Sequence, residues 1–387
     1  MCVRVAINGW FWDRPDTGSG QYVRRLVDAL MQIDTGLTLS VLLPSWSGGT
    51  PTGPSAVPGG RFVGRPARQT NLGKLWWEQV TVPTAARAIG CDLLHVPYWA
   101  PSACAALPTV VTIHDIIPRV LPMYRGDLRV RMYTALVSAA TSRARLVLAD
   151  SQASREDIVR HLRVKPERVR TIPLAVGPEY TPQTSADDTQ IRAGMRLPDH
   201  YVLYLGGFDV RKDLRTALSA FDIVQRSLPG AVLVIGGRLP DTGTPFTPDP
   251  RRIARDLDLS LDTVRFLGFV PENHKPALYR GARAFIFPST YEGFGYPPLE
   301  AISCGIPVVA SNTSSLPQVV GRAGVLLDPG DVEGVAVALI QLLTDEAFHS
   351  ELSQRAIEQA QSFSWTQTAS LTLAAYRAVI ERDRRHV

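Results

Sequence analysis

The sequence predicts an α/β protein built on two parallel sheets. Three observations carry that expectation. Short apolar, β-branched runs alternate with longer helical patterns from end to end, the pattern of repeated βαβ units. At 387 residues the chain exceeds one ordinary core and divides most simply into two. A short polar stretch, Thr181–Gln190, interrupts the alternation near the middle before it resumes. With 45% hydrophobic and 20% charged residues the chain can fill two cores, and no apolar run approaches the ~20 residues of a membrane-spanning helix.

In the first half, strands are expected at Val3–Asn8, Leu37–Leu43, Leu93–Val96, Thr109–Ile113, Leu146–Ala149 and Val169–Ile172, where β-branched and aliphatic residues run together. Apolar residues at helical spacing place helices at Gln21–Met31, Leu75–Ala88, Leu128–Ala140 and Ala153–Arg163. The Pro/Gly/Ser-rich stretch Pro44–Pro66 reads as a surface loop without regular structure. In the second half, strands are expected at Tyr201–Leu205, Ala231–Ile235, Val264–Leu267, Ala284–Phe287, Pro307–Ala310 and Gly324–Leu327. Helices fit Leu214–Arg226, Lys275–Tyr279, Pro297–Ser303, Val332–Leu343 and a C-terminal segment, Thr366–Arg385. The domains are set at 1–180 and 181–365, with the helix of 366–387 packing back on the first.

The four cysteines, Cys2, Cys91, Cys104 and Cys304, lie far apart with no CxxC pair, which suggests reduced core thiols rather than disulfides or zinc. The start runs straight into a strand pattern without a signal-peptide profile, which favours the cytoplasm. The net charge is +5, but eleven arginines and Lys165 against five acids give +7 between Arg119 and Arg170. Solvated helix faces are the simpler reading; a peripheral contact with an anionic membrane at its inner face, or an acidic acceptor, is the sharper one. Nucleic acid is not indicated, since no aromatic-basic repeat or zinc-finger spacing occurs.

Four segments could carry chemistry. Gly18-Ser19-Gly20 sits between the first strand and first helix, where glycines let a ligand approach backbone amides; a plain glycine turn is an equal reading. Because Val23 follows, the dinucleotide fingerprint is not met and a nicotinamide cofactor is disfavoured. His114-Asp115 ends an apolar strand, and polar groups there are costly to bury unless they bind something; a core histidine bonded to a carbonyl is the alternative. Gly206–Lys212 follows a strand and leads into a helix, so Arg211 and Lys212 could clamp phosphate. Ser289–Glu300 follows another strand and enters a helix through Pro297-Pro298. Its two carboxylates, Glu292 and Glu300, are acceptors suited to hydroxyl pairs, and the amides of Phe294, Gly295 and Tyr296 lie at the helix start.

Glu292 and Glu300 form an E-x7-E pattern whose setting resembles the retaining, nucleotide-sugar-dependent glycosyltransferases of family 4, which have the GT-B fold. Val264–Ala284, Cys304–Ala310, Ser314–Pro329, the His114-Asp115 strand end, Ala149-Asp150-Ser151 and the Gly207–Lys212 loop resemble further blocks of that family, and Gln318 departs where the family often has glutamate. The resemblance implies two Rossmann-like domains facing each other across a cleft, the first holding the acceptor and the second the donor. It implies that Arg211 and Lys212 grip the diphosphate together with Gly207, that Glu300 holds the ribose and that Phe269-Val270 lies beside the base. Glu292 and the Phe294–Tyr296 amides would hold the sugar, Gly18–Gly20 would face the phosphates, and His114 would approach the transferred sugar. It implies no metal and no cofactor beyond the nucleotide sugar. GDP-mannose is the first candidate donor, a UDP-hexose the second, because the chain resembles bacterial mannosyltransferases of polysaccharide assembly; the acceptor would be a glycan, a lipid-linked glycan or a small molecule. An epimerase or phosphorylase on the same architecture, and a non-catalytic nucleotide-sugar-binding protein, are the competing functions.

Overall fold

The computed structural model describes residues 3–33, 36–45, 60–104 and 107–385. The described chain divides into two compact units, Met1–Leu174 with Ser364–Val387, and Ala175–Phe363. Thr181–Gln190 therefore lies inside the second unit, and its end forms the helix Asp188–Gly194.

The first unit is a seven-stranded parallel sheet: β1 (Val3–Asn8), β2 (Leu37–Ser45), β3 (Gly60–Pro66), β4 (Leu93–Val96), β5 (Thr109–Ile113), β6 (Leu146–Ala149) and β7 (Val169–Thr171). They lie in the order β3-β2-β1-β4-β5-β6-β7. The order reverses between β1 and β4, and at such a point the loops after the two strands diverge and leave a crevice. β3 corrects the expectation that Pro44–Pro66 is irregular throughout; residues 46–59 lie outside the described ones. Glycines and a terminal proline mask β3 in the sequence, yet it pairs with β2 alone, and a proline is tolerated at the end of an edge strand. Arg61 Nε donates to Ser40 Oγ across that pair at 2.9 Å.

The expected helix Leu75–Ala88 starts earlier and is not continuous: Asn71–Trp76 and Val82–Ala88 are α-helical, and Trp77–Thr81 between them is a π turn. Pro83 lacks the N–H an unbroken α-helix would use, and the wider turn absorbs the mismatch. Trp77 is thereby fully buried with its indole N–H on Asn8 Oδ1 at 2.9 Å, while Trp76 is exposed. Cys91 and Cys304 are buried, but Cys104 is exposed in a turn, which corrects its reading as a core thiol.

The C-terminal helix Trp365–Arg384 belongs to the first unit. Thr368 Oγ1 donates to the Pro173 carbonyl at 2.7 Å, and Arg145 pairs with Asp383 at 2.8 Å. Inside, Tyr376 Oη meets His95 Nδ1 at 2.7 Å, His95 Nε2 meets Thr112 Oγ1 at 2.9 Å, and Thr112 meets Tyr22 Oη at 2.9 Å. Burial, with the nearby His114, drives the pKa of His95 down to about 3. The folded protein holds His95 neutral while the unfolded chain takes up a proton below about 6.5, so stability falls as pH falls through the window from 6.5 toward 3. The expected slope from this group approaches ~1.4 kcal/mol per pH unit. Unfolding free energies at pH 7, 6 and 5 should fall less steeply for His95→Gln than for the native chain, and equal slopes would refute the assignment.

The second unit is a six-stranded parallel sheet: β8 (Val202–Leu205), β9 (Leu233–Gly236), β10 (Val264–Gly268), β11 (Ala284–Phe287), β12 (Val308–Ser311) and β13 (Gly324–Leu327), in the order β10-β9-β8-β11-β12-β13. Four-residue strands suffice because nearly every residue of β8, β9, β11 and β12 is buried on both faces by crossover helices. The helices Pro250–Asp256, Leu316–Val320 and Glu346–Ala360 were not expected from the sequence. Here too the order reverses once, between β8 and β11.

Candidate active site

In the second unit the chemistry gathers at that reversal. β8 is followed by Gly206-Gly207, and the chain turns through Asp209 into a short 3-10 turn, Val210–Lys212. Asp213, at φ +44°, then caps the helix Leu214–Ser227 by accepting from the Thr216 amide. β11 is followed by Pro288-Ser289, and its loop carries Glu292. Because β8 and β11 are neighbours, the two loops meet: the Thr290 amide donates to the Arg211 carbonyl at 2.8 Å. Lys212 Nζ then lies 2.6 Å from Glu292 Oε1 and Arg211 Nη1 lies 2.8 Å from the same oxygen. Ser289 Oγ donates to that oxygen at 2.6 Å, and Arg211 Nη1 also donates to the Tyr291 carbonyl at 2.6 Å. The Glu292 backbone is fixed as well, its amide donating to Ser314 Oγ and its carbonyl accepting from Ser315 Oγ, both in the loop after β12.

Burial pushes the Glu292 carboxyl up, but Lys212 and Arg211 outweigh it and hold its pKa below the ordinary range. Both cations keep about a tenth of their side-chain surface exposed. The result is an ionised carboxylate against two cations at the C-terminal rim of the sheet, with Asp209, 3.5 Å from Arg211 Nε, as a second counter-charge. Lys212 Nζ also rests over the Phe287 ring at 4.8 Å, which fixes its stem.

The helix Tyr296–Ser303 starts without a side-chain cap from Gly295, whose φ of +109° a Cβ would strain. Glu300 is buried on this helix, accepts from Tyr279 Oη at 2.7 Å and also interacts with the Tyr180 hydroxyl. Burial raises its pKa against the pull of Lys275. After β10, Phe269 is exposed beneath the Arg238 guanidinium at 5.4 Å, whereas Val270 is buried and belongs to the core. Arg238 was not singled out in the sequence, and Ser289, Ser314 and Ser315 appeared there only within longer segments; each lies just beyond a strand end, the one signal that could have found them.

In the first unit, His114 follows β5. Its Nδ1 lies 2.6 Å from Asp150 Oδ2, just after β6, and Tyr22 meets its ring edge-on at 4.8 Å. The sequence neighbour Asp115 instead accepts from the Ile117 amide at 3.0 Å, so the carboxylate that serves His114 is Asp150. Burial draws the His114 pKa down, but Asp150 outweighs it, aided by Asp115 and the Pro97 carbonyl, and the net shift is upward.

Gly18, Ser19 and Gly20 are not a turn before the helix but its first turn, since the helix runs Gly18–Gln32 with Thr17 at its cap. Thr17 Oγ1 accepts from the Gly20 amide at 3.2 Å. A Cβ on Gly20 would lie 1.9 Å from the Arg14 carbonyl oxygen, whereas one on Gly18 would meet nothing within 4 Å. Gly20→Ala is therefore expected to cost about 1–3 kcal/mol, while Gly18→Ala keeps the native Tm. Equal Tm values for the two variants would remove the steric account of Gly20.

Two parallel α/β units of this strand order are the GT-B architecture. The chain belongs to glycosyltransferase family 4: the sequence model "Glycosyltransferase Family 4" matches residues 17–180 and "Glycosyl transferases group 1" matches 187–363. It is 34% identical over 270 residues to the O-antigen chain mannosyltransferase B of Escherichia coli, covering 69% of this chain and 70% of that protein. It is 31% identical over 280 residues, or 71% of this chain, to the serotype-specific mannosyltransferase WbdA of Escherichia coli, of whose length it spans about a third (34%). Among solved structures it is similar in fold to a sucrose-phosphate synthase from Thermosynechococcus elongatus, with a TM-score of 0.75 at 23% identity over 98% of this chain and 100% of that one. The chain is a glycosyltransferase of the hexosyl-transferring kind that uses a nucleotide sugar.

Proposed function

We propose that this enzyme transfers mannose from GDP-mannose to a glycan or lipid-linked acceptor, with retention at the anomeric carbon and without a metal ion; a UDP-hexose is the second donor. The observation that carries the reading is the contact of Arg211 and Lys212 with Glu292 at the β8/β11 reversal. Two cations on one rim suit a diphosphate leaving group, and their fixed position would stabilise the charge that develops as the glycosidic bond breaks. Glu292 would hold sugar hydroxyls, Glu300 the ribose, and Phe269 with Arg238 the base. The similarity to two mannosyltransferases supports mannose as the sugar.

His114 supports retention. An inverting enzyme needs a base that takes the acceptor proton on the face opposite the leaving group. Asp150 at Nδ1 shifts His114 toward its protonated form, in which it donates hydrogen bonds to sugar hydroxyls and does not take up a proton. In the retaining route the departing diphosphate takes the proton of the attacking hydroxyl, as the new bond forms on the face that the old one leaves. Among the described residues no group of three or more His, Cys, Asp or Glu is placed to hold a metal ion, and the two cations supply the charge a metal would.

We also read the surface around Leu128–Thr141 as suited to peripheral contact with an anionic membrane. Met123, Leu128 and Met132 are 60–70% exposed among the exposed Arg125, Arg129 and Arg131, a pairing of apolar and basic groups that favours such a surface. No helix among the described residues is long and apolar enough to cross a membrane.

The test is transfer from GDP-α-mannose in the presence of a chelator, with the new anomeric centre read by NMR. An α-linked product is expected. A β-linked product would overturn retention, loss of transfer with chelator would overturn metal independence, and turnover of a UDP-hexose alone would move the donor.

A further inference from the structure

A basic concavity of the first unit lies apart from His114 and Asp150. It encloses about 630 Å³ between the C-terminal helix and the sheet, and its walls include Arg143, Arg145, Arg168, Arg170, Arg382 and Asp383. Thr109 and Leu146, which begin β5 and β6, also line it. It therefore sits at the N-terminal edge of the sheet, whereas His114 and Asp150 follow the opposite ends of these two strands.

Five arginines face one carboxylate, a net formal charge of +4. Part of this clustering has a structural explanation. Arg143 donates to the Ala103 carbonyl at 3.0 Å, Arg168 to the carbonyls of Ser142 and Ala144, and Arg145 pairs with Asp383. Carbonyls orient a guanidinium but do not neutralise it, and Asp383 answers one charge only. Arg170 and Arg382 make no side-chain hydrogen bond or ion pair among the described residues. Like charges brought together around a concavity repel one another unless an anion enters, and planar guanidinium forks match phosphate oxygens in pairs.

We propose that this cavity is a binding site for a diphosphate group, separate from the donor site and held by Arg170 and Arg382 with Arg143 and Arg168 behind them. The group could arrive on a soluble polyphosphate or as the head of a lipid. Because the site joins the C-terminal helix to the sheet, its occupant would tie that helix down.

The experiment uses the full chain and inorganic pyrophosphate at 0.15 M salt, followed by calorimetric titration. The native chain should bind at two sites, the donor rim and this cavity. Lys212→Ala should keep the cavity site. Arg170→Gln with Arg382→Gln should weaken it at least about tenfold, with circular dichroism and Tm showing that the variant is folded. A second arm uses phosphatidylcholine vesicles doped with a diphosphate-headed lipid. Binding that pyrophosphate displaces and that the double variant loses would show the lipid-borne source, and pyrophosphate binding without vesicle binding the soluble one. A double variant that binds pyrophosphate like the native chain would overturn the proposal. So would vesicle binding that pyrophosphate does not displace and that phosphatidylglycerol reproduces, since that is a diffuse basic surface.

Discussion

Replacing Lys212 with alanine is expected to lower turnover about 10²–10³-fold, the range seen when one fixed electrostatic contact to a developing charge is removed. The reasoning is local. Lys212 Nζ lies at the rim, 2.6 Å from Glu292, with its stem over the Phe287 ring, so it is held in place before any ligand arrives. A group that acts on leaving-group charge stabilises the transition state more than bound donor, and the loss should appear in kcat with a smaller change in KM. Arg211→Ala should give a turnover loss of similar size and also loosen the loop, because Arg211 Nη1 ties the Tyr291 carbonyl at 2.6 Å. Steady-state kinetics with the native donor decides it: a Lys212→Ala enzyme within a few-fold of native turnover removes Lys212 from the reaction.

Glu292→Ala should also lower turnover by about 10²-fold or more, with a different signature in binding. In the resting site the carboxylate answers both cations, and its pKa held below the ordinary range makes it ionised at neutral pH. Removing it leaves Lys212 without its carboxylate and Arg211 with Asp209 alone, at 3.5 Å, and a buried pair stripped of one partner typically costs about 3–5 kcal/mol. The incoming diphosphate would supply the missing charge. Nucleoside diphosphate should therefore bind Glu292→Ala at least as tightly as the native enzyme while the Tm of the unliganded variant drops, and Glu292→Gln should show a smaller drop because it keeps the shape and the Ser289 contact. Weaker nucleotide binding combined with unchanged Tm would refute this account.

Much of the fold was legible because parallel strands buried on both faces read as short aliphatic runs. β4, β5, β6, β11 and β13 lie where the pattern put them. The misses have physical causes. β3 is an edge strand, and such a strand can keep glycines and a proline that disguise it. The π turn at Trp77–Thr81 depends on Trp77 reaching Asn8, a contact made across 69 positions. The helix beginning at Gly18 is capped by Thr17, and glycine is a poor helix former, so the pattern placed its start three residues late. His114 was singled out as a polar strand end, but the sequence did not name its carboxylate. Adjacent residues on an extended chain point apart, while neighbouring strands bring Asp150, 36 positions away, to 2.6 Å.

The sequence by itself determined the class, the approximate elements and the segments that carry chemistry, since each depends on residues close together in the chain: apolar period, glycine and proline placement, and charge at a strand end. The tertiary structure decided which segments meet. Nothing local in Arg211-Lys212 or Glu292 states that β8 lies beside β11 rather than another strand, for the order β10-β9-β8-β11-β12-β13 is chosen by packing of crossover helices over the whole sheet. That order brings a cation and a carboxylate 80 positions apart to 2.6 Å, and sets the sign of the Glu292 pKa shift, because burial alone would have raised what Lys212 and Arg211 lower.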